Sequence, residues 1–270
     1  MANINRLHTA LLNAVILAGA NAVQKQKTAR AEAKGQHKDV VTAIDRENEG
    51  RIRDALRKIE PDISFLGEEE GLQTGKGKLL AVVDPLDATT NYALGRPEFS
   101  VIGAIVEDGI VEFGAICVPA TYETFSAERG AGAFLHTIHG RTPVRVNKLA
   151  KLSDAVISFN RSNFPPPTFA GPDPAMVALR MLGGIIKHAR SYRNFGTAGF
   201  EYVDVARGRL DGVVTPIAEA VHVAGYLIME EAGAKVTDLN GKPYALDSKT
   251  IVASCPEIHE QLLRALYGEY

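Results

Sequence analysis

Cysteine is scarce, charge is nearly balanced, and nothing repeats. The 270 residues include two cysteines, Cys117 and Cys255, each in a short apolar run and neither in a CxxC pair or beside a Cys/His cluster. That pattern excludes a disulfide framework and a thiolate metal site, and leaves two buried thiols that suit a reducing, cytoplasmic setting. Lys plus Arg total 30 against 32 Asp plus Glu, a net charge of −2. So small an excess gives no general attraction to nucleic acid or an anionic membrane, and neither is expected as a partner. An anionic ligand has to be held by a local device. No uninterrupted apolar run approaches the ~18 residues of a membrane span. The apolar patch at 11–23 is broken by Asn13 and Asn21, while Leu7, Leu11, Leu12, Val15 and Leu17 recur at helical spacing. An amphipathic first helix is therefore expected, not a signal segment.

What the chain does have is apolar content, 46 % of residues, enough for one large domain or two smaller ones. A second helix is expected over 45–62, with Ile52, Ala55, Leu56 and Ile59 on one face and Pro61 as its stop. Short apolar runs follow at 63–67, 78–84, 99–109, 110–119 and 123–136, with Asp108-Gly109 as a hairpin turn. Hairpins this close in sequence predict antiparallel strands beside two helices, not serial βαβ units. Later strands are expected at 152–161, 210–216 and 250–255, and helices at 174–187, 197–208, 220–233 and the C-terminus. The segment SNFPPPTFAGPDP at 162–174 reads as a surface loop and a boundary. The fold class is α+β, divided into 1–145, with helices, antiparallel sheet and a charged site, and an α/β part over 146–270 that lines a pocket.

The chemistry concentrates before residue 100. FLGEEEG at 65–71 ends a strand in Glu68, Glu69 and Glu70, and AVVDPLDATTNY ends the next apolar run in Asp84 and Asp87 around Pro85. Unpaired carboxylates crowded at strand ends are costly to bury, so some must face water or a cation. Hard oxygen donors in this number suit Mg²⁺, which keeps several waters and takes phosphate oxygens as further ligands. If a helix starts after Asp87, the amides and hydroxyls of Ala88, Thr89 and Thr90 open it, at an end that favours anions.

GEEE at 67–70, DPLDATTNY at 84–92, KDVVTAID at 38–45, FGTAGFEYVDVARGRLDG at 195–212 and HVAGYLIMEEAG at 222–233 stand in the order of the motifs of the inositol monophosphatase family, which the chain resembles over nearly all its length. The resemblance implies an αβαβα layered sandwich and a homodimeric, Mg²⁺-dependent, lithium-sensitive phosphomonoesterase with two or three metal ions per site. Its substrate would be a small phosphorylated metabolite: a polyol or sugar phosphate, with fructose 1,6-bisphosphate, a nucleotide or a pathway-specific metabolite as alternatives. By the same resemblance Glu68, Asp84, the Leu86 carbonyl and Asp87 are metal ligands, and Glu69 neighbours a third metal position. Glu68 also orders the attacking water, to which Thr89 bonds with Asp45 as its acidic partner, and the amides of Ala88 and Thr89 cradle phosphate. Arg193 and Glu201 are candidates for substrate contact.

The chain departs from the family pattern at its last motif, which normally opens with Trp-Asp. Counting back ten residues from Glu231 puts Val221 at the aspartate and Ala220 at the tryptophan. In that register Glu219 and His222 point elsewhere, since neighbouring helical residues diverge by about 100°. Three outcomes follow: a second metal held with one carboxylate fewer, a rearranged 215–220 loop that brings in Glu219 or His222, or a catalytically weakened homologue that binds a phosphorylated ligand. Ala88, where the motif has glycine, requires a negative φ or local room.

Overall fold

The computed structural model describes residues 2–28, 32–34, 39–160, 174–216 and 219–268. Helix α1 (Ala2–Lys25) is followed by a short hairpin, β1 (Glu32–Lys34) and β2 (Asp39–Val41), and by α2 (Ala43–Arg57). Thr42 caps α2: its hydroxyl accepts from the Ile44 amide while the Asp45 carboxylate takes the Thr42 amide, a reciprocal capping box. Then come β3 (Ser64–Gly67), β4 (Gly71–Gln73), β5 (Leu79–Asp87), the one-turn α3 (Thr89–Ala93), β6 (Ser100–Glu107) and β7 (Ile110–Val118). Strands β8 (Glu123–Glu128), β9 (Gly132–Thr137) and β10 (Gly140–Pro143) complete a sheet of order β10-β9-β8-β7-β6-β5-β3-β4, antiparallel except where β3 meets β5.

The second sheet is built from β11 (Val156–Phe159), β12 (Ser191–Arg193), β13 (Gly212–Thr215), β14 (Lys235–Thr237) and β15 (Ile251–Ser254). Its order is β12-β11-β13-β15-β14, parallel across the first two pairings and antiparallel across the last two. Its helices are α4 (Pro174–His188), α5 (Ala198–Ala206), α6 (Val223–Glu231) and α7 (Pro256–Tyr267).

Side-chain alternation sorts these elements into five layers. Leu7, Leu11 and Val15 of α1, with Ile52 and Leu56 of α2, bury against Ala81, Val83, Val101 and Ile105 on one face of the large sheet. The opposite face, with Val82, Ile102 and Ala104, meets Tyr202 and Val203 of α5 and Leu227 and Ile228 of α6, which also cover Val213 and Ala253 of the second sheet. The far face of that sheet, with Ile157, Val214 and Val252, takes Met181 and Ile185 of α4 and Ile258 and Leu262 of α7. The result is the expected αβαβα sandwich. In the middle layer α5 and α6 touch through Gly225, where a Cβ would stand 2.1 Å from the Tyr202 ring. By length and composition α1 is apolar enough over Ile4–Lys25 to cross a membrane, and half of that stretch is buried in this protein.

Several elements differ from expectation for local reasons. The run 123–136 is two strands, because Gly130 and Gly132 take positive φ and turn the chain between them. The strand expected to end at Asp84 continues to Asp87. The helix expected from 220 starts as a 3₁₀ turn, Ala220–His222, and becomes α-helical only at Val223. Strands β1, β2, β4, β12 and β14 have three residues each, too few to display a period. Of the proline-rich segment read as a loop over 162–174, residues 162–173 lie outside the described residues.

His259 on α7 ties this last layer to the sheet. It is fully buried, with Nδ1 3.0 Å from Ser254 Oγ and Nε2 3.0 Å from Thr237 Oγ1. Burial, with Lys235 adding to it, lowers the ring from 6.5 to about 4. A histidine whose folded pKa lies below its unfolded value contributes stability above the unfolded pKa, and that contribution is lost as pH falls towards the folded one. Urea unfolding of the wild-type protein should therefore weaken between pH 6.5 and about 4, by up to ~1.4 kcal/mol per pH unit more than His259→Gln over the same window. Parallel pH profiles for the two proteins would contradict this assignment.

Candidate metal centre

The site begins with a bulge in β5. Asp84 pairs with Ile102 and Asp87 with Ser100, so three steps along β5 match two along β6. In a regular strand residues three apart face opposite ways; the extra residue cancels that offset and turns both carboxylates to one face. Pro85 sits in the bulge, where its missing N–H costs no ladder bond. Its carbonyl accepts from Asn48 Nδ2 (3.2 Å), and the same amide group reaches the Ala18 carbonyl (3.2 Å), while Asn48 Oδ1 accepts from Asn21 (2.9 Å). One buried asparagine on α2 thus clamps the bulge to α1.

Each aspartate is then held differently. Asp84 is 2 % exposed, and its Oδ1 accepts from the Leu86 amide at 3.0 Å. Asp87, 7 % exposed, meets the N-terminus of α5: Oδ2 accepts from the Gly199 amide (2.8 Å), the Thr197 hydroxyl and Ser100 Oγ (2.7 Å), and Oδ1 from the Ala198 amide (3.2 Å). Thr197 is the α5 cap. The middle helix layer therefore orients Asp87 with fixed donors.

Glu68 follows β3, whose parallel register pairs Gly67 with Val83, and so stands beside Asp84, with which it shares a side-chain hydrogen bond. The turn is fastened from below by Glu49 of α2, whose carboxylate accepts from the amides of Glu69 and Glu70 at 2.9 Å each. Gly67 leaves the room for this, since a Cβ there would lie 2.2 Å from the Glu49 carboxyl carbon. Glu69 is half-buried and adds negative charge near Asp45, and Glu70 pairs outward with Arg53.

Thr89 opens α3. Its hydroxyl donates to Asp45 Oδ1 (3.0 Å) and lies 3.1 Å from the Leu86 carbonyl. Burial pushes the Asp45 carboxyl up, against the bonds from Thr42 and Thr89 that stabilise its charged form. Ala88 takes φ +67°, so the condition of a negative φ is not met: a left-handed alanine stands where the family motif has glycine.

The last motif requires a correction. Val221 is buried in the apolar core, and it is His222 that turns towards the aspartates, with Nε2 3.7 Å from Asp84 Oδ2. Ligand atoms of Asp84, Asp87 and His222 all lie within 4.8 Å of one another. The ten-residue count fails because His222 stands nine residues before Glu231, so a fixed spacing of ten overshoots it by one and lands on Val221. Glu219 is half-buried and within electrostatic reach of Asp84.

This donor set fits a divalent cation. Burial, and next the Asp87 charge, hold the Asp84 carboxyl well above the usual carboxylate range, and Glu219 adds to the strain. The Glu68–Asp84 contact joins two carboxyls, which need a shared proton or a cation between them. The His222 Nδ1 is buried with no hydrogen-bond partner among the described residues.

The model of the inositol monophosphatase family matches residues 4–269. The chain belongs to the inositol monophosphatase family. It is 34 % identical over 236 residues to a fructose-1,6-bisphosphatase/inositol-1-monophosphatase of Thermotoga maritima, covering 87 % of this chain and 85 % of that one. It is also 34 % identical over 234 residues to the Nus factor SuhB of Pasteurella multocida, covering 84 % and 82 %. The crystal structure of the extragenic suppressor protein suhB from Bartonella henselae superposes with a TM-score of 0.86 at 32 % identity, over 96 % of this chain and 97 % of that one. Family membership and the Asp84, Asp87 and His222 cluster support metal-dependent phosphomonoesterase chemistry.

Other candidates lie outside this cluster. Arg193 is exposed, its guanidinium turned back to Ser191 Oγ (2.6 Å) and the Tyr192 carbonyl (2.8 Å). Glu201 is fully buried on α5 beside Ser158 and Asn160, its Oε1 accepts from the Phe195 amide (2.8 Å), and burial pushes it up to about 8. Sequence reasoning missed Asn48, Glu49 and Ser100, which are polar residues inside a helix or at a strand start and carry no signal until their partners fold onto them.

Left-handed φ costs an alanine about 1–2 kcal/mol, while glycine loses roughly 0.5–1 kcal/mol more chain entropy on folding. Ala88→Gly should therefore raise unfolding free energy by up to ~1 kcal/mol, read from urea midpoints. A lower midpoint would mean that the Ala88 methyl group packs well enough to outweigh its strain.

Proposed function

We propose that the chain hydrolyses the phosphomonoester of a small phosphorylated polyol or sugar, with Mg²⁺ as the family's cation and two or three ions per site. The observation that carries this reading is the buried cluster of Asp84, Asp87 and His222, with Glu68 beside Asp84 and a Thr89–Asp45 pair at the end of the same strand. Glu68, Asp84, Asp87 and His222 would hold the metal. The Leu86 carbonyl keeps a lone pair for it despite its contact with Thr89, and Glu69 would neighbour a third ion. Bound divalent cations supply Lewis-acid stabilisation of the charge that develops on the phosphoryl group and leaving oxygen.

The chain's own groups handle the proton. Thr89 Oγ1 donates to Asp45 Oδ1, which leaves its oxygen free to accept a hydrogen bond from the attacking water. As that water gives up its proton to Thr89, the threonine proton moves to Asp45, whose burial makes it a stronger base than a solvated aspartate. The amides of Ala88 and Thr89, at the start of α3, would bind phosphate oxygens. Asp87 stays in place because α5 donates to it, so it would hold a cation without reorganisation.

The names of the relatives support inositol 1-phosphate and fructose 1,6-bisphosphate as first substrates to try. A second reading, a weakened homologue that binds a phosphorylated ligand, is favoured by His222 standing where the family motif has aspartate. Phosphate release from a panel of small phosphomonoesters with millimolar divalent cation separates the two. Turnover should disappear on chelation, and Thr89→Ala should lower kcat by about 10²–10⁴ with little change in KM. No turnover of any panel member would favour the second reading, and a Thr89→Ala enzyme of undiminished kcat would remove Thr89 and Asp45 from the chemistry.

The homodimer expectation draws support from an apolar groove of about 470 Å³ lined by Ile16, Val23, Pro119, Tyr122 and Ile138, the last 90 % exposed. Sedimentation should give twice the chain mass, and Ile138→Lys should shift it towards one.

A further inference from the structure

We propose that His222 directs this metal centre towards a first-row transition cation, with Mn²⁺ and its heavier neighbours bound in preference to Mg²⁺ and the imidazole as a direct ligand. The inference rests on the reading of the pocket as a metal-dependent phosphatase centre and says which cation that centre selects.

Three observations bring His222 to the metal. The residue is 5 % exposed, yet Nδ1 has no hydrogen-bond partner among the described residues and Nε2 lies 3.7 Å from Asp84 Oδ2, beyond hydrogen-bond reach. A buried imidazole nitrogen and a buried carboxylate oxygen that face each other outside hydrogen-bond reach are costly unless a proton or a cation lies between them. Two donors that share a cation at about 2.0–2.2 Å each lie about 3–3.7 Å apart, which is the spacing that Nε2 and Oδ2 have. The ring is also oriented: Tyr202 meets it edge-on, with centroids 6.2 Å apart and planes at 76°, and the 3₁₀ turn holds its backbone through the bond from the His222 amide to the Glu219 carbonyl (3.0 Å).

The donor chemistry then decides the metal. Exchanging a carboxylate for a neutral imidazole removes one negative charge and one hard oxygen from the shell. Mg²⁺ binds chiefly through charge and hard oxygen donors, so it loses on both counts. Imidazole nitrogen suits zinc, iron, nickel and copper, and a site that mixes nitrogen with carboxylate follows the rising affinity from Mn²⁺ onwards. Asp84 and Asp87 keep the site attractive to any divalent ion, so the exchange alters selectivity and not the ability to bind metal.

The test reads coordination directly, with Mn²⁺ as the probe. Chelator-stripped protein reloaded with Mn²⁺ should show ¹⁴N modulation in pulsed electron paramagnetic resonance, changed to the ¹⁵N pattern by ¹⁵N-histidine labelling and lost in His222→Asp. Calorimetric titrations should show the Mn²⁺ to Mg²⁺ affinity ratio falling about tenfold or more in His222→Asp. Absence of nitrogen modulation in the Mn²⁺-loaded wild-type protein overturns the proposal, and this reading requires no variant to fold. An unchanged affinity ratio in a folded His222→Asp protein overturns it as well. Neither readout uses turnover. A protein that shows the nitrogen signal but hydrolyses no phosphomonoester keeps this inference while the phosphatase reading fails, and an active enzyme without the signal does the reverse.

Discussion

Two aspartates three residues apart, turned to the same face of one strand and buried there, form the constraint on which the rest of the site depends. A regular strand would send Asp84 and Asp87 to opposite sides of the sheet. The bulge at Pro85 brings them together, and the repulsion that results has to be answered by neighbouring groups or by a cation. Much of the surrounding structure supplies part of that answer. Asn48 ties the bulge to α1, the start of α5 donates to Asp87, and Glu49 pins the turn that carries Glu68.

The five layers explain why these partners arrive from such distant parts of the chain. Helices α1 and α2 reach the bulge from one side of the large sheet and α5 and α6 from the other, so the metal pocket sits where an outer and a middle layer meet at one strand end. Gly225 permits the close approach of α5 and α6, and with it the placement of His222 at the foot of α6. Residues with no chemical role of their own thereby set the distances in the pocket.

Much of this was legible beforehand, and its limits are instructive. GEEE, DPLDATTNY and KDVVTAID point to Glu68, Asp84, Asp87, Thr89 and Asp45, which the structure brings close together, because each motif is a contiguous stretch whose spacing survives folding. At the last motif the count points to Val221, because it assumes a fixed spacing to Glu231, and here His222 lies one residue nearer than that spacing allows. The supporting residues Asn48, Glu49 and Ser100 were invisible for another reason. A polar side chain in a helix or at a strand end looks the same in sequence whether it meets water or a buried carbonyl.

The sequence by itself determined the fold class, the order of the layers' elements and the acidic cluster, since apolar periodicity and local motifs depend on neighbours along the chain. Only the tertiary structure decided that His222 is the third donor, that Ala88 is left-handed, and that α5 holds Asp87. Those three facts depend on the angle at which one element meets another. Packing between layers sets that angle, and packing is a property of pairs of distant segments that no single stretch of sequence contains.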